Sequence, residues 1–239
     1  MKRAIFFIFL ISLPIFPIFQ LVNASPNGVK LSTYTFHSIT FSNQKPALGE
    51  MIYLPDTAFN EAQVLHMINN LEKIDYNILK LAEKQNIKII LFQGPLTELN
   101  GLSRLKDKKP RGYSDSDPTW DSVPGMSADR VVYAKIGHSE YGKGHTSISL
   151  ELHEIAHAID RYVFNHVRDN SIFIEIWKQE VNRIFPSQKY YLNYSEEYFA
   201  ESFAMFYFSP ETNKELFEKA PHTFAFIQSL EEEAEIRLK

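Results

Sequence analysis

The sequence predicts an α+β fold, formed by one domain with two lobes. Two runs of β-branched residues in the first half, at 87–92 and 130–137, predict buried strands. In the second half apolar residues recur at helical spacing, and no flexible linker separates the two halves. We therefore expect a single domain over residues 25–239, with a mixed α/β lobe at about 25–146 and a helical lobe at about 147–239.

The elements of the first lobe follow one another in a simple order. Loose alternation of apolar and polar residues over 31–54 predicts one or two short strands. Residues 60–86 have the apolar spacing of a helix, and the strand at 87–92 follows directly. The stretch 94–125 is rich in Pro, Asp, Ser and Lys, which predicts a long loop before the strand at 130–137.

The second lobe is predicted to be helical, with breaks at Pro186 and Pro210. Residues 148–163 form the first helix of this lobe by their apolar spacing. Residues 190–208 contain a second helix that is strongly aromatic.

Residues 1–24 have the pattern of a secretory signal peptide. Lys2 and Arg3 supply the positive start, an apolar stretch follows, and residues 22–24 fit a small-residue cleavage site. The alternative is a retained membrane anchor, which two prolines inside the apolar stretch weaken. We expect a secreted, extracellular protein with no stable membrane insertion after cleavage.

Composition narrows the class of protein further. A formal net charge of -4 over 239 residues gives no support for nucleic-acid binding. The chain has no cysteine, so it forms neither a disulfide nor a lipoprotein anchor. A secreted chain of this size without disulfides must be held by its core or by a metal ion. We expect it to be a monomer.

The stretch LELHEIAHAID, residues 150–160, places two histidines one helical turn apart. His153 and His157 then project from one face and can bind one zinc ion through a ring nitrogen each. Glu154 lies one step round the helix, where it is suited to take a proton from zinc-bound water. The alternative is a surface helix with incidental histidines, so the presence of a third ligand decides between the two.

A third ligand is available downstream, on the aromatic helix. One class of zinc peptidase needs a glycine and a histidine where this chain has Asp160 and Val163, so that class is excluded. Glu197 and Glu201 lie four residues apart among aromatic residues, where unpaired carboxylates are costly. Glu197 as a zinc ligand and Glu201 as acceptor of a histidine N–H account for both. The alternative is an acidic cluster stabilised by the helix dipole and capped by Ser195.

HEIAHAID followed by EEYFAESF resembles the catalytic domain of anthrax lethal factor, and in particular the small secreted Pro-Pro endopeptidases of that superfamily. The resemblance runs from about Pro110 to the C-terminus, through PRGYSDSDPTWDSVPG, VVYAKIG and YGKGHTSISL. It implies a zincin-like metallopeptidase fold, with a small mixed sheet and helices in the N-terminal lobe. The implied function is a secreted zinc endopeptidase acting on protein or peptide substrates, including bonds between two prolines in proline-rich sequences. The alternative is a catalytically weak binding or toxin component, against which the intact Glu154 argues.

The resemblance also assigns roles to single residues. The ligands that it implies for one Zn²⁺ ion are His153, His157 and Glu197. Glu154 becomes general base and acid. A tyrosine before the glutamate ligand supports the oxyanion; this is Tyr190 by its spacing from the ligand, or Tyr191 by alignment on the Tyr-Leu pair.

Substrate choice is where the chain departs from the resembling family. Trp120, before the VPG turn, is implied to shape the substrate site; the alternative is a core residue that caps the sheet. Residues 126–130 are predicted to form a loop, and they stand where the family has a glycine pair. Pro118 stands where a lysine is expected. The residues implied for zinc binding and catalysis therefore match the family, and those implied for substrate choice match it in part.

Overall fold

The computed structural model describes residues 28–37, 45–111 and 117–239. The predicted signal peptide, residues 1–24, lies outside these ranges, as does part of the predicted strand region at 31–54. Among the described helices, none combines the length and apolar character needed to cross a bilayer.

A mixed sheet forms the first lobe, with five strands within the described residues in the order β1-β2-β3-β5-β4. The central strands β2 (Ile52–Leu54), β3 (Lys88–Phe92) and β5 (Val131–Lys135) are parallel. The edge strands β1 (Val29–Lys30) and β4 (Gly125–Ala128) are antiparallel to their neighbours. The two strands predicted from β-branched runs are therefore confirmed as β3 and β5.

Both faces of the sheet are covered, which explains the continuous apolar run of β3. Successive side chains of a strand point to opposite faces. Ile89 and Leu91 accordingly join the main core beneath the helices. Ile90 and Phe92 join a smaller cluster on the other face, under the long loop. A strand buried on both sides has no polar alternation.

The helix predicted over residues 60–86 is in fact two helices, α2 (Glu61–Leu71) and α3 (Tyr76–Lys84). Asp75 starts the second one, because its carboxylate accepts hydrogen bonds from two backbone N–H groups of the first turn. Apolar residues continue at helical spacing across this break, so periodicity alone did not reveal it. A helix also stands where a strand was expected, since α1 (Pro46–Met51) lies within 31–54.

Residues 126–130, predicted as a loop, mostly belong to β4. Gly125–Ala128 pairs with β5, and Asp129 then makes the turn with a φ of 52°. The prediction was wrong because the sequence GMSA has little strand propensity of its own. Pairing with a neighbouring strand provides the stabilisation instead.

Helices make up the second lobe, as predicted. The predicted helix over 148–163 consists of α4 (Leu150–Ala158) and one following π-helical turn, Ile159–Val163. The stretch 190–208 is divided by the extended backbone of Tyr194. The remaining helices are α5 (Ser171–Ile184), α6 (Lys189–Asn193), α7 (Ser195–Phe208), α8 (Pro210–Lys219) and α9 (Pro221–Leu238). Pro186 follows α5 and Pro210 begins α8, so both predicted breaks are confirmed.

Helix α4 is the central element, because it lies between the sheet and α7. One side of it contacts β4 and β5, and the other contacts α7. Leu152 and Ile155 of α4 are fully buried, and each contributes about 1.5–3 kcal/mol of hydrophobic stabilisation. Buried alanines, Ala156 on α4 and Ala200 on α7, favour close approach of the two helices. This packing brings the polar face of α4 against the acidic start of α7.

Candidate metal centre

Two imidazoles lie side by side on α4. The ring centroids of His153 and His157 are 4.9 Å apart, with their planes at 84°. This follows from their spacing of four residues, which places side chains on one face of a helix. Their side chains are 10% and 14% exposed, so both are largely buried rather than on the surface.

Glu197, in the first turn of α7, completes a group of three metal-ligand side chains. Its Oε2 lies 3.2 Å from Nε2 of His153 and 3.3 Å from Nε2 of His157. One ligand atom from each of the three residues lies within 4.8 Å of the others. Nitrogen and oxygen ligands at the corners of a zinc tetrahedron are about 3.3 Å apart. The three residues therefore fit a single metal ion of this kind.

The electrostatics of this group favour a positive charge at its centre. Burial works to lower the pKa of His153, but hydrogen bonds with Glu197 and Glu201 raise it to about 10. Burial works to raise the pKa of Glu197, and hydrogen bonds with both histidines hold it well below its ordinary value. The carboxylates of Glu197 and Glu201 therefore favour a positive charge at the imidazoles, whether a proton or a metal ion supplies it.

Glu201 orients the first histidine from behind. Its Oε2 accepts a hydrogen bond from Nδ1 of His153 at 3.0 Å, and its Oε1 accepts one from the backbone N–H of Ile148 at 2.8 Å. Because Nδ1 of His153 is hydrogen-bonded to Glu201, Nε2 is the nitrogen that faces Glu197. Ser195 does not cap the acidic cluster, as the alternative interpretation requires. Tyr194 occupies the N-cap position of α7, and the Ser195 hydroxyl donates to the carbonyl of Arg168.

Glu154 lies between the histidine pair and the edge strand β4. A Cβ atom built on Gly125 would stand 3.0 Å from its Oε1 and 3.1 Å from its Cγ. The carboxylate therefore packs directly against strand backbone, which only glycine allows. Burial raises the pKa of Glu154 above its ordinary value, while the charges on His153 and His157 oppose this. A carboxyl group in this environment holds a proton more readily than one in water.

The two candidate tyrosines lie in different surroundings. Tyr191 is 3% exposed, and burial followed by the charge of Glu201 raises its pKa, with its hydroxyl also contacting Thr146. Tyr190 is 38% exposed, and its ring packs edge-on against Tyr194. Tyr191 thus lies next to Glu201, the residue that contacts Nδ1 of His153. Tyr190 lies on the exposed side of α6.

Trp120 lies on the sheet face that points away from α4. It is half-buried and packs on the cluster that contains Phe92, Met126 and Tyr133. Its backbone N–H donates to the carbonyl of Lys108 at 2.8 Å, which folds the long loop onto the sheet. This is the position that the alternative interpretation, a residue capping the sheet, expects. Its role in binding substrate stays a prediction.

Sequence reasoning did not find the arginines that surround the acidic start of α7. Arg111 contacts Glu196, the neighbour of the metal-ligand candidate, at 2.5 Å. Arg168 pairs with the buried Asp160, which lies in the π-helical turn after α4. A single sequence carries no signal for either contact. Arg111 and Glu196 are 85 residues apart, and Arg168, although only eight residues from Asp160, belongs to no spaced motif.

A family model described as "Anthrax toxin lethal factor, N- and C-terminal domain" matches residues 39–230. The chain belongs to the lethal factor-like metallopeptidase family. Two relatives of this metallopeptidase are named Pro-Pro endopeptidase. The one from Paenibacillus alvei is 37% identical over 195 residues, which cover 82% of this chain and 89% of the relative. The one from Clostridioides difficile is 37% identical over 193 residues, which cover 81% of this chain and 87% of the relative.

A solved structure agrees with the family assignment. The Pro-Pro endopeptidase structure from Paenibacillus alvei matches this metallopeptidase with a TM-score of 0.74 and 38% sequence identity. The match covers 77% of this chain and 99% of that one. The α+β metallopeptidase fold expected from the sequence is thereby confirmed. The family, these relatives and the group of His153, His157 and Glu197 identify the chain as a metalloendopeptidase.

Proposed function

We propose that this metallopeptidase is secreted, binds one zinc ion through His153, His157 and Glu197, and cleaves extracellular or cell-surface proteins between two prolines. One observation carries the proposal. Both histidine Nε2 atoms lie 3.2–3.3 Å from the same carboxylate oxygen of Glu197, with Glu154 on the same helix as the histidines and next to Gly125. Nitrogen and oxygen donors at this spacing suit zinc. The substrate preference is supported by the names of both relatives.

The chemistry needs a base that also returns a proton, and Glu154 is suited to both steps. Zinc, when bound, supplies Lewis-acid polarisation of the scissile carbonyl and makes water more acidic. Glu154 takes a proton from the attacking water and delivers it to the leaving nitrogen. Its raised pKa matters for the second step, because burial makes the carboxyl group hold its proton more readily, and the protonated form is the one that donates. The nitrogen of a leaving proline must receive this proton before it departs as a secondary amine.

Tyr190 is the residue that we assign to support the oxyanion. Tyr191 does not suit this role, because its hydroxyl is buried with Glu201 and Thr146 on the far side of His153. Tyr190 precedes α7 and is partly exposed. A hydroxyl that donates to the developing negative charge contributes about 3–4 kcal/mol to the transition state.

The edge strand β4 gives an extended substrate a place to bind. It borders the sheet on the side of Glu154, and Gly125 at its start touches that carboxylate. A peptide that pairs with an edge strand makes main-chain hydrogen bonds. Two consecutive prolines lack N–H groups, so such a peptide depends more on the shape of the cleft. In this chain residues 126–130 present side chains along the strand, which we expect to alter the flanking preference.

A peptide library with a fixed Pro-Pro centre, read by mass spectrometry, tests the proposal. Wild-type protein carrying about one zinc ion per chain should cleave between the two prolines, and the products report the flanking preference. Glu154→Gln should retain zinc and lose cleavage. The mechanism is wrong if that variant still cleaves, and the proline preference is wrong if only bonds outside the Pro-Pro centre break. N-terminal sequencing of exported protein tests secretion, with Ser25 expected as the first residue.

A further inference from the structure

Arg111 makes three contacts beside the proposed zinc ligand. Its guanidinium lies 2.5 Å from Oε1 of Glu196 and 3.8 Å from Oε1 of Glu197. It also lies over the ring of Tyr194, 4.2 Å from the centroid. Oε2 of Glu197 faces the histidines, so Arg111 contacts the opposite oxygen of the same carboxylate. The arginine thus comes from the long loop and contacts the residues that begin α7.

Glu196 is held from its other side as well. Arg168 forms an ion pair with Asp160, which is fully buried in the π-helical turn after α4. The same guanidinium lies 4.0 Å from Oε1 of Glu196. Charges of alternating sign therefore run from Asp160 through Arg168, Glu196 and Arg111 to the outer oxygen of Glu197. This row joins the end of α4 to the start of α7, independently of the metal.

We propose that Arg111 is a positioning residue for the reaction: it holds Glu196 away from the metal and fixes the carboxylate of Glu197 towards the two histidines. The inference rests on the proposed zinc site. Glu196 and Glu197 are adjacent carboxylates at one helix end, and both are chemically able to bind a cation. Arg111 and Arg168 both contact Glu196, which leaves Glu197 as the carboxylate available to the metal.

The fixed position of Arg111 matters more than its charge. Its side chain is 59% exposed, so water screens the repulsion between the guanidinium and a nearby cation. Its planar fork and its stacking on Tyr194 restrict where it can lie, and a lysine would not reproduce either feature. Groups that orient metal ligands through hydrogen bonds or ion pairs affect metal affinity or activity by about 10- to 100-fold when they are replaced.

Arg111→Met and Arg111→Lys test the role, with Arg237→Met as the matched control. Arg237 also lies over an aromatic ring, that of Phe164 at 5.7 Å, and pairs with a glutamate, Glu233 at 3.4 Å, but it belongs to α9. Four quantities would be measured: kcat, KM, zinc content, and the rise in melting temperature when zinc is added to the metal-free protein. The last of these does not depend on activity.

We expect Arg111→Met to lower kcat about 10- to 100-fold with little change in KM, and to reduce the rise in melting temperature on zinc addition. Arg111→Lys should recover only part of either loss, and Arg237→Met should resemble wild type in kcat and in the zinc-induced rise. The inference is overturned if Arg111→Met matches wild type in kcat and in zinc stabilisation, or if it only lowers the melting temperature of the metal-free protein. Failure of the wild-type protein itself to bind zinc would instead refute the proposed function.

Discussion

Nδ1 of His153 donates to Oε2 of Glu201 across 3.0 Å, while Nε2 of the same ring faces Oε2 of Glu197 at 3.2 Å. The imidazole is therefore held between two carboxylates of α7 that lie one helical turn apart. Because Glu201 holds the proton of Nδ1, Nε2 is the nitrogen whose lone pair would bind a metal ion in place of its own proton. The orientation of this candidate metal ligand is thus determined by α7 as much as by α4.

Glu201→Gln should weaken zinc binding about 10- to 100-fold, because a neutral amide is a poorer acceptor for the His153 N–H. Zinc affinity measured by competition with a chelator checks this. Glu180→Gln is a suitable control, since Glu180 is also fully buried but accepts hydrogen bonds from His222 and Thr223 at the start of α9. The control should lower thermal stability without changing zinc affinity. Equal zinc affinity in wild type and Glu201→Gln would contradict the role assigned to Glu201.

Tyr190→Phe and Tyr191→Phe should separate the two tyrosines. Loss of an oxyanion donor at Tyr190 is expected to reduce kcat about 10²- to 10³-fold, with zinc content unchanged. Tyr191 contacts Glu201, so its replacement should act on zinc affinity and on thermal stability. Steady-state kinetics on a Pro-Pro peptide, together with metal analysis, distinguish these outcomes. The assignment reverses if Tyr191→Phe shows the larger loss in kcat at full zinc occupancy.

Gly125→Ala should reduce kcat while leaving zinc in place. The added methyl group would stand 2.6 Å from Cδ1 of Leu150 and 3.0 Å from Oε1 of Glu154, so the base has to move. A misplaced base is expected to cost at least about 10²-fold in rate. Ser103→Ala, at an exposed position outside this strand, introduces no new atom and serves as the control. If Gly125→Ala keeps wild-type kinetics, the carboxylate does not depend on this contact.

The sequence predicted the metal-ligand group more completely than it predicted the sheet. His153 and His157 are fixed by helical geometry, and a costly pair of carboxylates on an aromatic helix indicated Glu197 and Glu201. These arguments use spacing and burial, which a sequence records directly. The outcome is that the structure brings all four side chains together.

What the sequence did not reveal lies partly in a local turn and a local helix cap, and partly in contacts between distant segments. Residues 125–128 became a strand because β5 lies beside them, and Asp75 divides a continuous apolar pattern by capping a helix. Arg111 and Arg168 meet α7 only after the chain folds. The contacts of Arg111 and Arg168 with Glu196 have no local periodicity or composition that marks them in advance, whereas the cap at Asp75 is a local signal that the continuous apolar spacing concealed.

Asp121 should make the stability of the loop beside Trp120 depend on acid pH. Its carboxylate accepts hydrogen bonds from the Thr97 hydroxyl at 2.6 Å, the Asp107 backbone N–H at 2.9 Å and the Thr119 hydroxyl at 2.9 Å. The Thr97 hydroxyl and then the Asp107 N–H lower its pKa from 3.8 to about 2.

A lowered pKa means that the folded protein favours the ionised carboxylate, so this stabilisation is present above pH 3.8 and disappears as pH falls through about 2. Asp121→Asn should therefore unfold at a lower urea concentration than wild type at pH 7, and the two midpoints should converge towards pH 2. The exposed Asp56→Asn serves as the control and should follow wild type at every pH. A midpoint difference that stays constant from pH 7 to pH 2 would show that the ionised form of Asp121 is not what holds the loop, since only a titrating group can make the difference disappear over this range.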